Sequence, residues 1–290
     1  MKKSIITAVL LFVYAVLGAQ TEKFEQKYNL LVSKLGPAGV GIETLLDNWA
    51  KADSTDEKLL TARFNYYLTK AQSAEIVTKP SRKYLGMNPL LTLKDSLGRD
   101  VYYYQETVYD DEMFGKALKA AEKASSLYPD HIEFRFMKVN AYISYEKDSP
   151  DMALAYLLEL ADADAVRNRP WIYAGSKAEK TFFEEAMQEY CYSFYQIASQ
   201  QSREAFYMLS EKMNRLHPDN LSFINNMGSY HMVVKEDYKT ALKFYKKVLK
   251  KNPTDMIALQ NGIIAARKLG NAKLEAKYRQ QLEDHIVADR

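Results

Sequence analysis

The chain has 290 residues, 47% of them hydrophobic and 27% charged, with a formal net charge of +3. That composition is ordinary for a globular protein and excludes a disordered or collagen-like chain, and the length allows one large domain or two average ones. Gly (11) and Pro (8) are scarce while Tyr (22) is abundant, which argues against a sandwich or barrel, whose strands need a turn every ~8–12 residues, and in favour of helices.

In chain order, Lys2 and Lys3 precede an apolar run from Ile5 to Leu17 that closes on Gly18-Ala19-Gln20. A charged start, an apolar centre and small residues at the end have the form of a secretory signal, so residues 1–19 are expected to be a cleaved signal peptide, cut after Gly18 or after Ala19. From Ile5 to Ala19 a helix would reach roughly 22 Å, short of a ~30 Å hydrocarbon core. No later apolar stretch is long enough to span, so no transmembrane segment is expected. Leu17-Gly18-Ala19 has the form of a lipoprotein box, but Gln20 stands where the lipidated Cys would be. The expected product is therefore exported, periplasmic or extracellular, and not a lipoprotein. Loss of Lys2 and Lys3 with no acidic residue lowers the net charge of +3 by two, to +1. The one basic cluster, Lys243, Lys246, Lys247, Lys250 and Lys251, reads as the solvated face of a helix, so nucleic acid is not an expected partner.

Residues 20–290 read as a single helical domain with two interruptions, at 76–109 and 162–177. After Trp49 comes Arg63-Phe-Asn-Tyr-Tyr67. In the first insert, Leu90–Lys94 and Asp100–Tyr104 flank a Gly-containing turn at 95–99, the pattern of a two-stranded hairpin. Asp110-Asp111-Glu112 then sit where acidic side chains favour the positive end of a helix dipole. Ala117, Ala121 and Ala124 precede Tyr128-Pro129-Asp130, where a helix must end because Pro cannot continue it. Ile132 to Tyr145 reads as the next helix, and Pro150-Asp-Met-Ala153 opens another. The second insert carries Arg169-Pro-Trp171. Further along, His217-Pro218-Asp219 and Asn252-Pro253-Thr254 stand one repeat length apart, with Gly228, Ala241, Tyr245 and Val248 between them.

This last stretch resembles the tetratricopeptide repeat, a helix–turn–helix unit of ~34 residues. Gly228 and Ala241 take the small-residue positions where the two helices cross, and Leu259, Asn261, Gly262 and Gly270 continue the pattern. Residues 63–67 after Trp49 are similar to exported bacterial tetratricopeptide proteins of unassigned role. The resemblance implies an all-α solenoid of about six helix pairs with a small β-hairpin insert: 21–35/40–52, 56–75/110–128, 131–146/149–161, 178–199/201–217, 220–235/237–251 and 254–269/271–287. It also implies a concave groove lined by the first helix of each pair, here Glu133, Phe136 and Asn140, then Ser222, Asn225 and Ser229, then Ile257, Gln260 and Ile264. Asn226 and Asn261 adjoin it, where an amide offers both a donor and an acceptor to an extended peptide; the alternative is that these amides only bridge neighbouring helices.

No catalytic motif, cofactor motif or metal motif stands in the sequence: there is no phosphate loop, nucleophile elbow or His-Glu-x-x-His. His131, His217, His231 and His285 are not at helical ligand spacing and read as structural. Cys191, the only cysteine, reads as a small buried apolar residue. Tyr142, Tyr156, Tyr192, Tyr195, Tyr230 and Tyr245 recur at helical spacing and read as packing. Tyr102, Tyr103, Tyr104, Tyr109 and Trp171 lie in or beside the inserts, where an amphipathic ring serves as an interface anchor or a platform for a sugar. The expected function is thus a non-catalytic protein-binding scaffold of the cell envelope, with partner residues in the groove (Asn140, Asn225, Asn226, Gln260, Asn261) or on the inserts (Tyr102, Tyr103, Tyr104, Trp171). Glycan binding by the insert aromatics is the alternative.

Overall fold

The computed structural model describes residues 21–288; the expected signal peptide lies outside them. Helix α1 runs over 21–35, followed by α2 (Ile42–Ala52), α3 (Glu57–Ala71), β1 (Gln72–Lys79), β2 (Leu91–Lys94), β3 (Asp100–Tyr109), α4 (Asp111–Leu127), α5 (Glu133–Glu146) and α6 (Asp151–Ala165). A small pair, β4 (Ile172–Tyr173) and β5 (Ser176–Lys177), precedes α7 (Phe182–Ile197), α8 (Gln200–Leu216), α9 (Leu221–Val233), α10 (Tyr238–Lys251), α11 (Met256–Lys268) and α12 (Ala272–Ala288). Every helix foreseen from the sequence is present, with ends within four residues of those expected. Among the described residues, no helix is long and apolar enough to cross a membrane.

The chain divides into two compact units. The first holds the described residues up to Tyr84, Asn88–Tyr145 and Arg169–Ala178. Its core is built around Trp49, 1% exposed, with Ile42, Leu46, Leu59, Ala62 and Tyr66. The indole Nε1 donates to Asp56 Oδ2 at 3.1 Å, and the same carboxylate caps α3 by accepting from Lys58 N. One side chain thus starts a helix and satisfies the polar atom of the largest core ring. Further along, the α4 alanines Ala117, Ala120 and Ala121 pack with Phe64 of α3, which lets the two helices approach closely.

The insert differs from the expected hairpin. It is a three-stranded antiparallel sheet in the order β1-β3-β2. The β2–β3 hairpin is as foreseen, Leu91 opposite Tyr103 and Lys94 opposite Asp100. Its turn is closed by Asp95, whose carboxylate accepts from Leu97 N and Arg99 N, and by Gly98 at φ +76°. The added strand, β1, continues α3 without a loop and pairs from Gln72 opposite Tyr109 to Lys79 opposite Tyr102. Ile76-Val77-Thr78 are β-branched and favour the strand, and nothing between Ala71 and Gln72 marks the change. That is why α3 stops four residues before the expected end.

The second unit holds Leu85–Met87, Glu146–Asn168 and the chain from Glu179 onward. It contains the helix–turn–helix pairs α7/α8, α9/α10 and α11/α12, as the repeat spacing led one to expect. Asn220 caps α9 by accepting from Ser222 N, Asp237 caps α10 by accepting from Thr240 N, and Asp255 caps α11 by accepting from Ala258 N. The prolines at 218 and 253 stand in the connecting turns, where no helical N–H is needed. Within each of the last two hairpins a glycine on the first helix faces a tyrosine on the second. A Cβ on Gly228 would lie 2.6 Å from the Tyr245 ring, and one on Gly262 would lie 3.0 Å from the Tyr278 ring. The small residues at the helix crossings are therefore there to admit buried aromatic rings: Tyr245 is 0% and Tyr278 4% exposed.

Candidate functional site

On the second unit, α7, α9 and α11, the first helices of successive hairpins, together with Phe206 of α8, line a cavity of about 240 Å³. Each helix presents a stripe at i, i+3 or i+4, and i+7, the spacing that keeps side chains on one face. On α7 the stripe is Gln188, Tyr192 and Tyr195; on α9 it is Asn226, Ser229 and Val233. On α11 Asn261 lines the cavity, and Ile257 and Ile264 lie four residues before and three after it. Four of these groups are large and open to solvent: Tyr192 is 56% exposed, Ile257 53%, Val233 44% and Ile264 43%. No residue lining the cavity carries a charge.

Beneath this apolar rim lies a ladder of amides and hydroxyls. Gln188 and Asn226 exchange two hydrogen bonds, Nε2 to Oδ1 at 3.2 Å and Nδ2 to Oε1 at 2.8 Å. Asn226 Nδ2 also donates to Ser210 Oγ at 3.1 Å, and Ser210 donates to the Phe206 carbonyl at 2.7 Å. Both N–H groups of Asn226 are thereby used within the protein, so its amide ties α7 to α9 and cannot donate to a peptide. Asn261 is held less firmly, with Nδ2 reaching Ser229 Oγ at 3.4 Å beside the Tyr245 hydroxyl. Burial pushes that hydroxyl up to about 12, with hydrogen bonds from Ser229 and Asn261 pulling the other way. Asn225 lies outside the cavity: it is 3% exposed and donates to Asp255 Oδ1 at 3.1 Å, bracing the residue that caps α11. Gln260 is exposed on α11, and Asn140 is exposed on α5. The asparagines named from the sequence thus serve mainly as bridges between helices.

The insert aromatics part company. Tyr104 is 1% exposed and donates to the Ser81 carbonyl at 2.8 Å. Trp171 is 5% exposed with the Arg135 guanidinium 5.1 Å from its ring centre. Both are core groups of the first unit and cannot offer a surface to a sugar or a partner; Tyr102 and Tyr103 remain half-buried. Trp171 is held because its neighbour Ile172 bonds Asp130 O and Ile132 N, folding the second insert back on the turn before α5. In the opposite sense, Tyr192, read from the sequence as packing, is an open side chain of the groove. The α7 stripe was legible as Gln188, Tyr192 and Tyr195 at i, i+4 and i+7, but α7 lacks the small-residue pattern that identifies α9 and α11.

Cys191 is 0% exposed beneath the ladder, 3.4 Å from Ser210 Oγ, and burial pushes its thiol up to about 12. A neutral, enclosed thiol is no nucleophile. Among the described residues, one group has the donor set of a metal site: Glu57, His131 and Glu133 in the first unit.

No family model and no curated protein matches the sequence. Among solved structures the chain is similar to MamA, at 16% identity over 60% of this chain and 83% of that one, with a TM-score of 0.39. It is also similar to PilW, described as a widely conserved type IV pilus biogenesis factor, at 13% identity over 92% of this chain and 93% of that one, again with a TM-score of 0.39. At these values the likeness is one of helical arrangement and says nothing about role.

Proposed function

We propose that this chain is a non-catalytic scaffold of the cell envelope that holds a neutral, largely apolar segment of a protein partner in the groove of α7, α9 and α11. The observation that carries the reading is the set of open apolar side chains on the first helices of successive hairpins, Tyr192, Val233, Ile257 and Ile264, around a cavity with no charged lining. An exposed aromatic on such a surface, here Tyr192, is the kind of residue that supplies much of the binding energy at interfaces. Export is supported by Lys2, Lys3 and the apolar run that follows them. Against glycan capture by the inserts, Tyr104 and Trp171 are enclosed.

The reading has a measurable signature. Partner capture from an envelope fraction should fall at least tenfold with Tyr192→Ala combined with Ile264→Ala, while the melting temperature changes little, because both groups are already in water. Since no charge lines the cavity, capture should vary little between low and physiological salt. Loss of capture with rising salt, or capture that survives the double change, contradicts the groove assignment.

A further inference from the structure

We propose that Glu57, His131 and Glu133 form a binding site for one divalent transition-metal ion, with Zn²⁺ the best match to their donors. The three residues come from separate places in the sequence: Glu57 opens α3, His131 lies in the turn after α4, and Glu133 opens α5. Their ligand atoms all lie within 4.8 Å of one another. His131 Nδ1 stands 3.3 Å from Glu57 Oε1 and 3.6 Å from Glu133 Oε1. Ligand atoms around a tetrahedral ion at the usual Zn–N and Zn–O lengths are separated by ~3.3–3.6 Å, so both spacings are those of a coordination shell.

The site is also left unsatisfied by the protein itself. His131 Nδ1 and Glu133 Oε2 are buried atoms without a hydrogen-bond partner. Among the described residues, neither Glu57 nor Glu133 is bridged to a lysine or arginine. Buried polar atoms normally find a partner, and exceptions call for an explanation. His217 supplies the contrast. There Glu184 approaches Nδ1 at 3.1 Å while Asp164 lies on the Nε2 side at 3.9 Å, so the two carboxylates flank different ring nitrogens, although Nε2 too is left without a hydrogen bond. At His131 both carboxylates converge on one nitrogen, and a single N–H cannot serve both. A cation seated among the three atoms can. The favourable position of an acidic residue in the first turn of a helix accounts for Glu57 and for Glu133 separately, but not for the imidazole nitrogen between them.

The imidazole is fixed in place: its ring stacks on Phe134 at 6.0 Å and lies 5.5 Å from the Tyr128 ring. Glu57 also lines an open, mainly acidic cavity of about 610 Å³ that includes Glu22, Glu25, Asp53 and Asp56, with Lys58 paired to Glu25. That cavity gives a cation a route from solvent and leaves room for water in the remaining coordination position. One nitrogen and two carboxylates suit a borderline ion such as Zn²⁺ better than Mg²⁺ or Ca²⁺, which prefer all-oxygen shells.

The test is calorimetric titration of the full chain, stripped with chelator, with Zn²⁺ alone. One equivalent should bind, and millimolar Mg²⁺ should not displace it. His131→Ala and Glu133→Gln should each weaken binding by at least roughly tenfold, the lower end of what loss of even an outer-sphere partner costs. His285→Ala should leave binding unchanged. Co²⁺ in place of Zn²⁺ should give a visible absorption band that both ligand variants abolish. Should His131→Ala fail to fold, Glu133→Gln and Glu57→Gln, which keep size and shape, decide the matter. The proposal is overturned if the wild-type chain shows no saturable Zn²⁺ binding, or if stoichiometric binding persists in the glutamine variants.

Discussion

The two units solve the same problem, bringing paired helices close together, in different ways. In the first, α4 presents Ala117, Ala121 and Ala124, all nearly fully buried, with phenylalanines from neighbouring elements filling the space around them. In the second, a glycine with no side chain at all receives a tyrosine ring, at Gly228 with Tyr245 and again at Gly262 with Tyr278. The alanine arrangement distributes the contact over several small residues. The glycine arrangement concentrates it at one crossing, and the ring that enters brings a hydroxyl that must be satisfied, which Ser229 and Asn261 do for Tyr245. The Ser229–Asn261 part of the polar ladder is therefore tied to the way the hairpins close, and the first unit, closing on alanine, has no need of one at α4.

That comparison can be broken at four points. The largest effect is expected at Trp49→Ala, which empties the centre of the first unit's core and deprives Asp56 of a donor; the cost should be about 3–5 kcal/mol in urea unfolding, as for other buried aromatics. Gly228→Leu should cost about 1–3 kcal/mol by overpacking, and even Gly228→Ala should be felt, because the first added carbon already meets the Tyr245 ring. A smaller effect is expected from pH. The His231 ring lies between Phe244, Tyr207 and Tyr230, and burial, with a lesser push from Lys235 and against the pull of Asp237, holds its pKa below the ordinary 6.5. The folded chain then keeps the ring neutral while the unfolded chain protonates it first. Its contribution is fully present above pH 6.5 and is lost as pH falls below that value toward the folded-state pKa. The melting temperature of the wild type should accordingly drop more than that of His231→Phe between about pH 7.5 and about pH 5.5. The smallest effect is expected at Lys246→Leu, an exposed position on α10, at less than about 0.5 kcal/mol. Equal costs at Gly228 and Lys246 would mean that the glycine–tyrosine crossing does not carry the hairpin.

The helices were legible because their boundaries are local. Pro129, Pro218 and Pro253 mark turns by chemistry that needs no tertiary context, and Asp110, Asn220 and Asp255 cap the helices that follow them. Strand β1 was not legible, because Ala71 passes into Gln72 with no breaker and the strand is stabilised by pairing with β3 farther along the chain. The groove was half legible. The repeat spacing put Ile257, Gln260 and Ile264 along the groove with Asn261 beside them; in the structure Asn261 lines the cavity, with Ile257 and Ile264 open to solvent four residues before and three after it. It could not say that Asn225 turns inward to Asp255, or that Asn226 is consumed by Gln188, since both depend on a neighbouring helix. For the same reason, Tyr104 and Trp171 read as open aromatics in an insert and are enclosed: what covers them comes from Ser81 and Arg135. The donors around His131 were invisible in the sequence, because Glu57 reaches them from a different helix pair.

The central claim is that the partner lies along the stripe of α7, α9 and α11, and site-specific photo-crosslinking tests it most directly. A photoreactive residue placed at Tyr192, at Ile264 or, as a control, at Lys246 would be activated in intact cells and the adducts resolved by mass. The groove reading expects the same partner adduct from positions 192 and 264 and none from position 246. Adducts from Lys246 with none from Tyr192 and Ile264, or adducts appearing only when the probe is moved to Tyr102 or Tyr103, would contradict it and transfer the binding surface to another face of the protein.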